Sequence, residues 1–418
     1  MSNRHVIIVD PYSSGVLYAP AVRRAGFSPV AVRSTPFPAA QFTNAFRPGD
    51  FDHDLIQGDA LTDQLAALNV AAVIPGSESG VSLADRLAAA LTPQAANVPA
   101  LANCRRHKGH MINAVAAAGL PVAPTIFVRD AKEAADFVTR PDVAGHDLVI
   151  KPATSVSTDG VTLAPGGRDW RSIVNNLLGR TNATGVRADE IVIQRRLRGT
   201  EFVVNTFTAN GRHAVTDVCR YTKVSNGDSF AVYQDVEFLG MDEPDVPELV
   251  SYVRRALDAI GFRFGAAHTE VMLTPDGPRL IEVNSRIAGS GMAAAAELAT
   301  GDNAVRRLVR HLRGEPDEAE GFSLRRSVKV AMFMTAESGV VLNAEVFEPI
   351  RTLPTCRGLT LNVRNGDRIE ATTDLLSSLR LGWALLAHQD PDLVARDHIK
   401  LRECAAHLRI GNTVKLHS

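Results

Sequence analysis

Hydrophobic positions follow one rhythm before Asp147 and another after it. Val6 to Val9 is a short β-branched run that stops at Asp10-Pro-Tyr-Ser-Ser-Gly15. The spacing beyond predicts a helix over Val16 to Ala25 and a strand over Pro29 to Arg33. Ala71 to Pro75 repeats the strand, and Gly76-Ser-Glu-Ser-Gly80 opens a helix whose Val81, Ala84, Leu87, Ala88 and Leu91 share a face. Strands alternating with helices predict a parallel α/β domain over residues 1–100. From Asp147 strands follow one another: Leu148 to Pro152, Val161 to Ala164, Glu190 to Arg195, Phe202 to Thr208, His213 to Tyr221 and Ser229 to Val236. That succession predicts antiparallel α+β structure, joined by an amphipathic helix over Pro247 to Ile260 that buries Leu249, Val253, Ala256, Leu257 and Ile260.

Gly265 to Thr274 and Pro278 to Asn284 read as a hairpin around Pro275-Asp-Gly277. Glu270 and Glu282 are equidistant from Asp276, so their carboxylates are expected to face each other, with Asn284 opposite His268 on the same face. Two acids and an amide, without a thiolate, suit a hard cation such as Mg²⁺ or Mn²⁺. Arg286, two residues further on, is placed to clamp an anion beside that cation. A solvated polar face is the bland alternative. The intervening Val271, Met272, Leu280, Ile281 and Val283 instead indicate a buried sheet, where unpaired carboxylates are costly.

Upstream, Val149-Ile-Lys-Pro152 sets Lys151 at the end of an apolar strand, before the small-residue loop Ala153-Thr-Ser-Val-Ser-Thr-Asp-Gly160. Its Ser155, Ser157 and Gly160 are candidates to cradle phosphate through hydroxyl and backbone donors. No Gly-Lys-Ser/Thr opens a helix, so this is not a Walker A loop. Lys108, after Arg105-Arg-His, offers a second cation, though it also reads as an exposed basic helix start. The strand Ile191 to Arg195 breaks near Gly199, and an edge there would let the backbone of Gln194, Arg195 and Leu197 meet a base, with Glu201 left for ribose.

Composition narrows the classes. At 418 residues the chain exceeds one ordinary core, and the pattern divides it into 1–100, 101–190, 191–320 and 321–418, with Glu315 to Gly321 as a linker. The last part reads as alternating strands and loops. A net charge of -1 gives no field for a nucleic-acid backbone. The four cysteines form no CxxC pair, so neither a zinc site nor a disulfide framework is expected. The N-terminal apolar run is too short for a signal peptide or a membrane span, and a cytoplasmic location is the expectation.

The order Lys108, Lys151-Pro with its Gly loop, Gln194…Gly-Thr-Glu201, Glu270, then Glu282-x-Asn284-x-Arg286 resembles the ATP-grasp superfamily over about residues 100 to 300. One departure is Gln194, where many relatives are acidic. The resemblance implies ATP held between two α+β subdomains behind the α/β N-terminal domain. It places Lys108 and Lys151 on the phosphates, Glu270, Glu282 and Asn284 on Mg²⁺, and Arg286 as the catalytic residue beside an acyl phosphate. Asp10-Pro-Tyr-Ser-Ser-Gly15, Gly76-Ser-Glu-Ser-Gly80 and Ala267-His-Thr-Glu270 are similar to motifs of the L-amino acid ligases, which join free amino acids into dipeptides and release ADP and phosphate. That likeness implies amino-acid contacts at Ser77, Glu78, Glu237 and His268, and it is compatible with a homodimer. Ser77 and Glu78 also read as helix caps, and His268 as a core histidine. Ser290, within Ala288-Gly-Ser-Gly-Met, belongs to a stretch without bulky aromatics that would border a roomy pocket. Another ATP-grasp ligase, a biotin carboxylase-like enzyme, or a non-catalytic nucleotide-binding regulator are the competing readings.

Overall fold

The structure is a computed structural model describing residues 4–38, 45–154, 160–181, 185–226, 229–315 and 320–411. It contains two compact units: Met1–Val218 with Met241–Ala294 and Asp302–Phe322, and Cys219–Gly240 with Ala295–Gly301 and Ser323–Ser418.

The first unit opens with β1 (His5–Val9), α1 (Tyr18–Arg24), β2 (Ser28–Arg33), β3 (His53–Ile56), α2 (Leu61–Ala66), β4 (Val70–Pro75) and α3 (Val81–Leu91). The strands form a parallel sheet in the order β3-β2-β1-β4. Val6 and Ile8 enter one apolar cluster, Ile7 and Val9 the other. With both faces covered, β1 is a continuous apolar run rather than an alternating one. The first helix starts later than its spacing predicts, because Ser13–Leu17 is a 3-10 turn. Pro20 then falls in the first turn of α1, where its missing N–H leaves no bond unmade.

At the C-terminal ends of β1 and β4 two loops cross with backbone on backbone. A Cβ on Gly76 would lie 2.7 Å from the Asp10 carbonyl oxygen, and one on Gly15 would lie 2.3 Å from that of Gly76. Asp10 and Ser13 both hold φ at 50°. Strain of this kind is kept where surrounding contacts over-determine it, and this is the sheet end where open α/β folds bind ligands.

The chain continues through α4 (Lys108–Ala117), β5 (Thr125–Val128), β6 (Leu148–Pro152), β7 (Thr162–Ala164), α5 (Trp170–Leu177) and β8 (Ile191–Arg195). Its strands make an antiparallel sheet in the order β5-β8-β6-β7, packed on Phe137, Trp170 and Val174. After β9 (Thr200–Ala209), β10 (Arg212–Asn226) and β11 (Ser229–Leu239) lead into the second unit. The chain returns through α6 (Val246–Ala259), β12 (Gly265–Thr274) and β13 (Gly277–Asn284), passes along α7 (Met292–Thr300), most of which belongs to the second unit, and reaches α8 (Ala304–Arg313). β12 lies between β9 and β13, so the hairpin is internal on that side. Leu249, Val253, Ala256 and Leu257 of α6 are fully buried, as their spacing predicts.

The second unit adds β14 (Ser327–Met332), β15 (Gly339–Val341), β16 (Cys356–Leu361), β17 (Arg368–Ile369), α9 (Leu375–Leu381), β18 (Gly382–His388), α10 (Pro391–Ala406) and β19 (Ile410–Gly411). Two helices stand where strands and loops are expected, each started by an aspartate: a capping box at Asp374 and Ser377, and Asp390 before Pro391. The segment read as a linker is anchored at its described end. The Glu320 carbonyl accepts from the Val215 N–H at 3.0 Å, and that of Gly321 from the buried Arg307 guanidinium at 3.0 Å. Among the described residues no helix is long and apolar enough to cross a membrane.

Gly76→Ala is expected to cost about 1–3 kcal/mol, because the new methyl meets backbone that cannot yield. Gly58→Ala, where an added Cβ meets nothing within 4 Å, should stay within about 0.5 kcal/mol of wild type. Thermal melts compare them, and equal midpoints would show that the loop crossing does not require glycine.

Candidate active site

β12 and β13 pair Thr274 with Gly277, Met272 with Arg279 and Val271 with Leu280, then shift register so that Glu270 faces Glu282 and His268 faces Asn284. The predicted facing pairs are present, but for a different reason. The turn is Pro275-Asp276 rather than one centred on Asp276, and Ile281 is an extra residue bulged out of β13. Leu280 and Glu282, two apart, therefore point to opposite faces. Leu280 is fully buried opposite Val271, and Glu282 stands beside Glu270. Unbroken alternation would carry Leu280 onto the polar face or Glu282 into the core.

The first residue of α4 meets this face. Lys108 is buried, and its Nζ lies 3.0 Å from Oε2 of Glu282, while Asn284 Nδ2 donates to Oε1 at 3.0 Å. The reading of Lys108 as an exposed helix start is therefore overturned. Burial alone would raise the Glu282 carboxyl, but Lys108 and then Lys151 outweigh it and hold the group well below its ordinary 4.5. Burial also pushes the Lys151 ammonium down, against the pull of Glu282, Glu270 and Glu201, with Lys108 adding to the depression. Five residues predicted from separate motifs thus share one electrostatic environment.

His268 is held from both sides. Its Nδ1 is 2.8 Å from Oδ1 of Asn205, whose Nδ2 donates to Asp217 at 2.6 Å, and its Nε2 is 3.4 Å from Glu270. Asn205 and Asp217 escaped the sequence motifs. Their signal is that they are polar positions inside the apolar runs of β9 and β10.

β13 ends at Asn284, and the Arg286 N–H turns back to the Asn284 carbonyl at 2.8 Å, so Arg286 does not extend the strand's row. Its Nε instead donates to Oε2 of Glu78 at 3.1 Å, and Arg106 donates to Oε1 at 3.1 Å. Glu78 is therefore bracketed by two guanidiniums rather than capping a helix. Ser77 makes no side-chain cap either; its hydroxyl lies 3.1 Å from that of Ser79. Arg106 was a further omission, hidden in a basic run. Ser290 is exposed with φ at 53°, in the segment whose Gly289 lies beside Ser13.

The expected base-binding edge differs. β8 is flanked by β5 and β6, and the N–H groups of Arg195 and Arg196 already donate to the carbonyls of Pro124 and Asp147, at 2.9 and 2.8 Å. The Gln194 amide, buried, donates to Thr125 at 3.0 Å, and the Arg195 side chain to the Asp142 carbonyl at 3.0 Å. Leu197, half-buried, follows the strand, and Glu201 is buried near the start of β9. Ser155 and Ser157 lie outside the described residues. Gly160 has φ of 74° and would set a Cβ 3.0 Å from the Pro152 ring, so its glycine follows from geometry. Glu237 belongs to the second unit, where it pairs with Arg220 and Lys329.

The donor set fits a hard cation in part. Among the described residues no three His, Cys, Asp or Glu side chains gather as a ligand group. Two carboxylates and an amide are present, with the Lys108 ammonium against one of them, a place where positive charge is already stabilised. The Glu282 interaction is fully available above its ordinary value of 4.5 and is lost as pH falls toward the depressed folded value. Lys108→Met raises that folded value, so its acid unfolding, followed by circular dichroism, should begin at higher pH than in wild type. Coincident acid transitions would show that Lys108 does not stabilise the carboxylate.

Residues 144–294 match the sequence profile of the ATP-grasp domain. Across its length the chain is 26% identical to dapdiamide A synthase of Enterobacter agglomerans, covering 97% of both proteins. Its fold is similar to that of an L-amino acid ligase from Bacillus licheniformis, with TM-score 0.73, 18% identity, 99% of this chain and 100% of that one. It is also similar to an N5-carboxyaminoimidazole ribonucleotide synthetase in an ADP complex, with TM-score 0.65, 16% identity and 96% of each chain. The chain therefore carries an ATP-grasp domain over residues 144–294, and over its whole length it resembles dapdiamide A synthase in sequence and an L-amino acid ligase in fold.

Proposed function

We propose that the protein joins two amino acids through an aminoacyl phosphate, forming a dipeptide with release of ADP and phosphate. The observation that carries this reading is the pair of charge clusters in the first unit. Lys108 and Lys151 stand over Glu270, Glu282 and Asn284, and the Glu78 carboxylate stands between Arg106 and Arg286. The first suits a polyphosphate with a divalent cation. The second offers both signs of charge, as a zwitterionic amino acid requires. The names of the full-length relatives, dapdiamide A synthase and L-amino acid ligase, support the same substrate class.

In this reading Lys108 and Lys151 hold the ATP phosphates, aided by the 153–160 loop with its Ser155, Ser157 and Gly160. Leu197 and Glu201, beyond the end of β8, lie toward the nucleoside, whereas Gln194 and Arg195 are engaged within the sheet. Glu270, Glu282 and Asn284 would hold Mg²⁺, which supplies charge neutralisation on the phosphates when bound. A substrate carboxylate oxygen attacks the γ-phosphorus and ADP leaves, giving an acyl phosphate. The second amino acid's amine then attacks the acyl carbon, loses a proton, and phosphate departs. Arg286 stabilises negative charge on the acyl phosphate and the tetrahedral adduct. Ser77, Glu78 and His268 contact the amino acids.

Phosphate release over a matrix of amino-acid pairs, with product masses, tests the reaction. Release that depends on amino acids and yields dipeptide masses is expected, whereas release driven by bicarbonate alone would favour a carboxylase. Glu282→Ala should lower turnover at least about 100-fold; unchanged turnover would remove the metal-site reading. Ser290→Trp should narrow the accepted substrates, and an unaltered profile would detach that segment from the pocket.

A further inference from the structure

His107, immediately before Lys108, is buried and makes two hydrogen bonds of opposite sense. Its Nδ1 accepts from the His110 N–H at 3.2 Å, capping α4, and its Nε2 lies 3.1 Å from Oε2 of Glu190. Only the neutral imidazole with its proton on Nε2 satisfies both. The Glu190 carbonyl accepts from the Ala153 N–H at 2.9 Å, and the Ala153 carbonyl accepts from the Lys108 N–H at 3.0 Å. The links close a ring: His107 side chain, Glu190, Ala153, Lys108, and back to His107 through the chain. One side of that ring begins the helix bearing Lys108. The other is the end of the strand bearing Lys151. Phe127 holds the junction, its ring 4.9 Å from each of the His107 and His110 rings and packed where a Cβ on Gly109 would clash.

We infer that His107 is a positioning residue for Lys108: its neutral imidazole couples the start of α4 to the end of β6, fixing the spacing of the two lysines that receive the ATP phosphates. This rests on the assignment of Lys108 to ATP proposed above. Protonation at Nδ1 would turn an acceptor toward the His110 N–H into a donor and add positive charge at a helix N-terminus beside Lys108. His110 faces the imidazole from its own helix, the two ring centroids 4.4 Å apart. Glu190 faces it from the start of β8, itself paired with Arg129 at 3.2 Å. Burial, and then His110, push His107 below its usual 6.5, against the pull of Glu190. The coupling is therefore intact at neutral pH and lost as pH falls through that lower folded value.

The test is the Kd for a non-hydrolysable ATP analogue with Mg²⁺, measured by calorimetry between neutral and mildly acidic pH. Wild type, His107→Ala, His107→Asn and Lys108→Ala are compared. At neutral pH His107→Ala should weaken binding about five- to tenfold, and His107→Asn, whose amide oxygen can still cap the helix, should recover part of that loss. The acid weakening seen in wild type should be smaller in His107→Asn. Wild-type affinity in His107→Ala alongside a weakened Lys108→Ala would overturn the positioning role and leave the nucleotide reading intact. Unchanged affinity in Lys108→Ala would overturn the nucleotide reading and this inference with it. If His107→Ala does not fold, an undiminished acid effect in His107→Asn overturns the inference.

Discussion

A buried ammonium and a half-buried carboxylate, Lys108 and Glu282 at 3.0 Å, join a helix start to a bulged strand. Neither charge is tolerable there alone, and removing one partner from such a pair typically costs about 3–5 kcal/mol. Much of the surrounding architecture meets that constraint. The Ile281 bulge turns Glu282 toward the pair while Leu280 stays in the core. Asn284 occupies the second carboxylate oxygen, and Lys151 adds a second positive charge from the neighbouring sheet. An arrangement already balanced between two cations and two acids is prepared for a ligand that brings both phosphate and metal, because it exchanges partners rather than creating charge in a dry site.

The same economy recurs at Glu78, where one carboxylate carries two guanidiniums. The loops that bring these groups together close only because Gly15 and Gly76 have no side chain, and because Asp10 and Ser13 accept positive φ. Backbone strain at the sheet end is therefore linked to the placement of charge. Ser34 holds the Asp10 carboxylate through its N–H and hydroxyl, at 2.7 and 2.6 Å, which steadies the strained residue.

Much of the fold was legible because its signals are local. The β-branched run at Val6 to Val9, the stripe of α6 and the hairpin at Pro275-Asp276 are properties of neighbouring residues. The late start of α1 and the two helices in the second unit depend on cap and turn chemistry that a hydrophobic pattern does not register. The supposed edge at β8 became internal once β5 and β6 paired on either side, a matter of distant pairing.

By itself the sequence determined which groups were available: two lysines, two glutamates, an asparagine and an arginine in an order that points to phosphate and a hard cation. Only the tertiary structure decided which of them meet. It turned Arg286 away from the strand toward Glu78, set Lys108 against Glu282, and recruited Arg106, His107, Asn205 and Asp217. The physical reason is that facing within a hairpin follows from short-range alternation, whereas the partner of a buried charge is chosen by whichever distant group the packed backbone brings within hydrogen-bond reach.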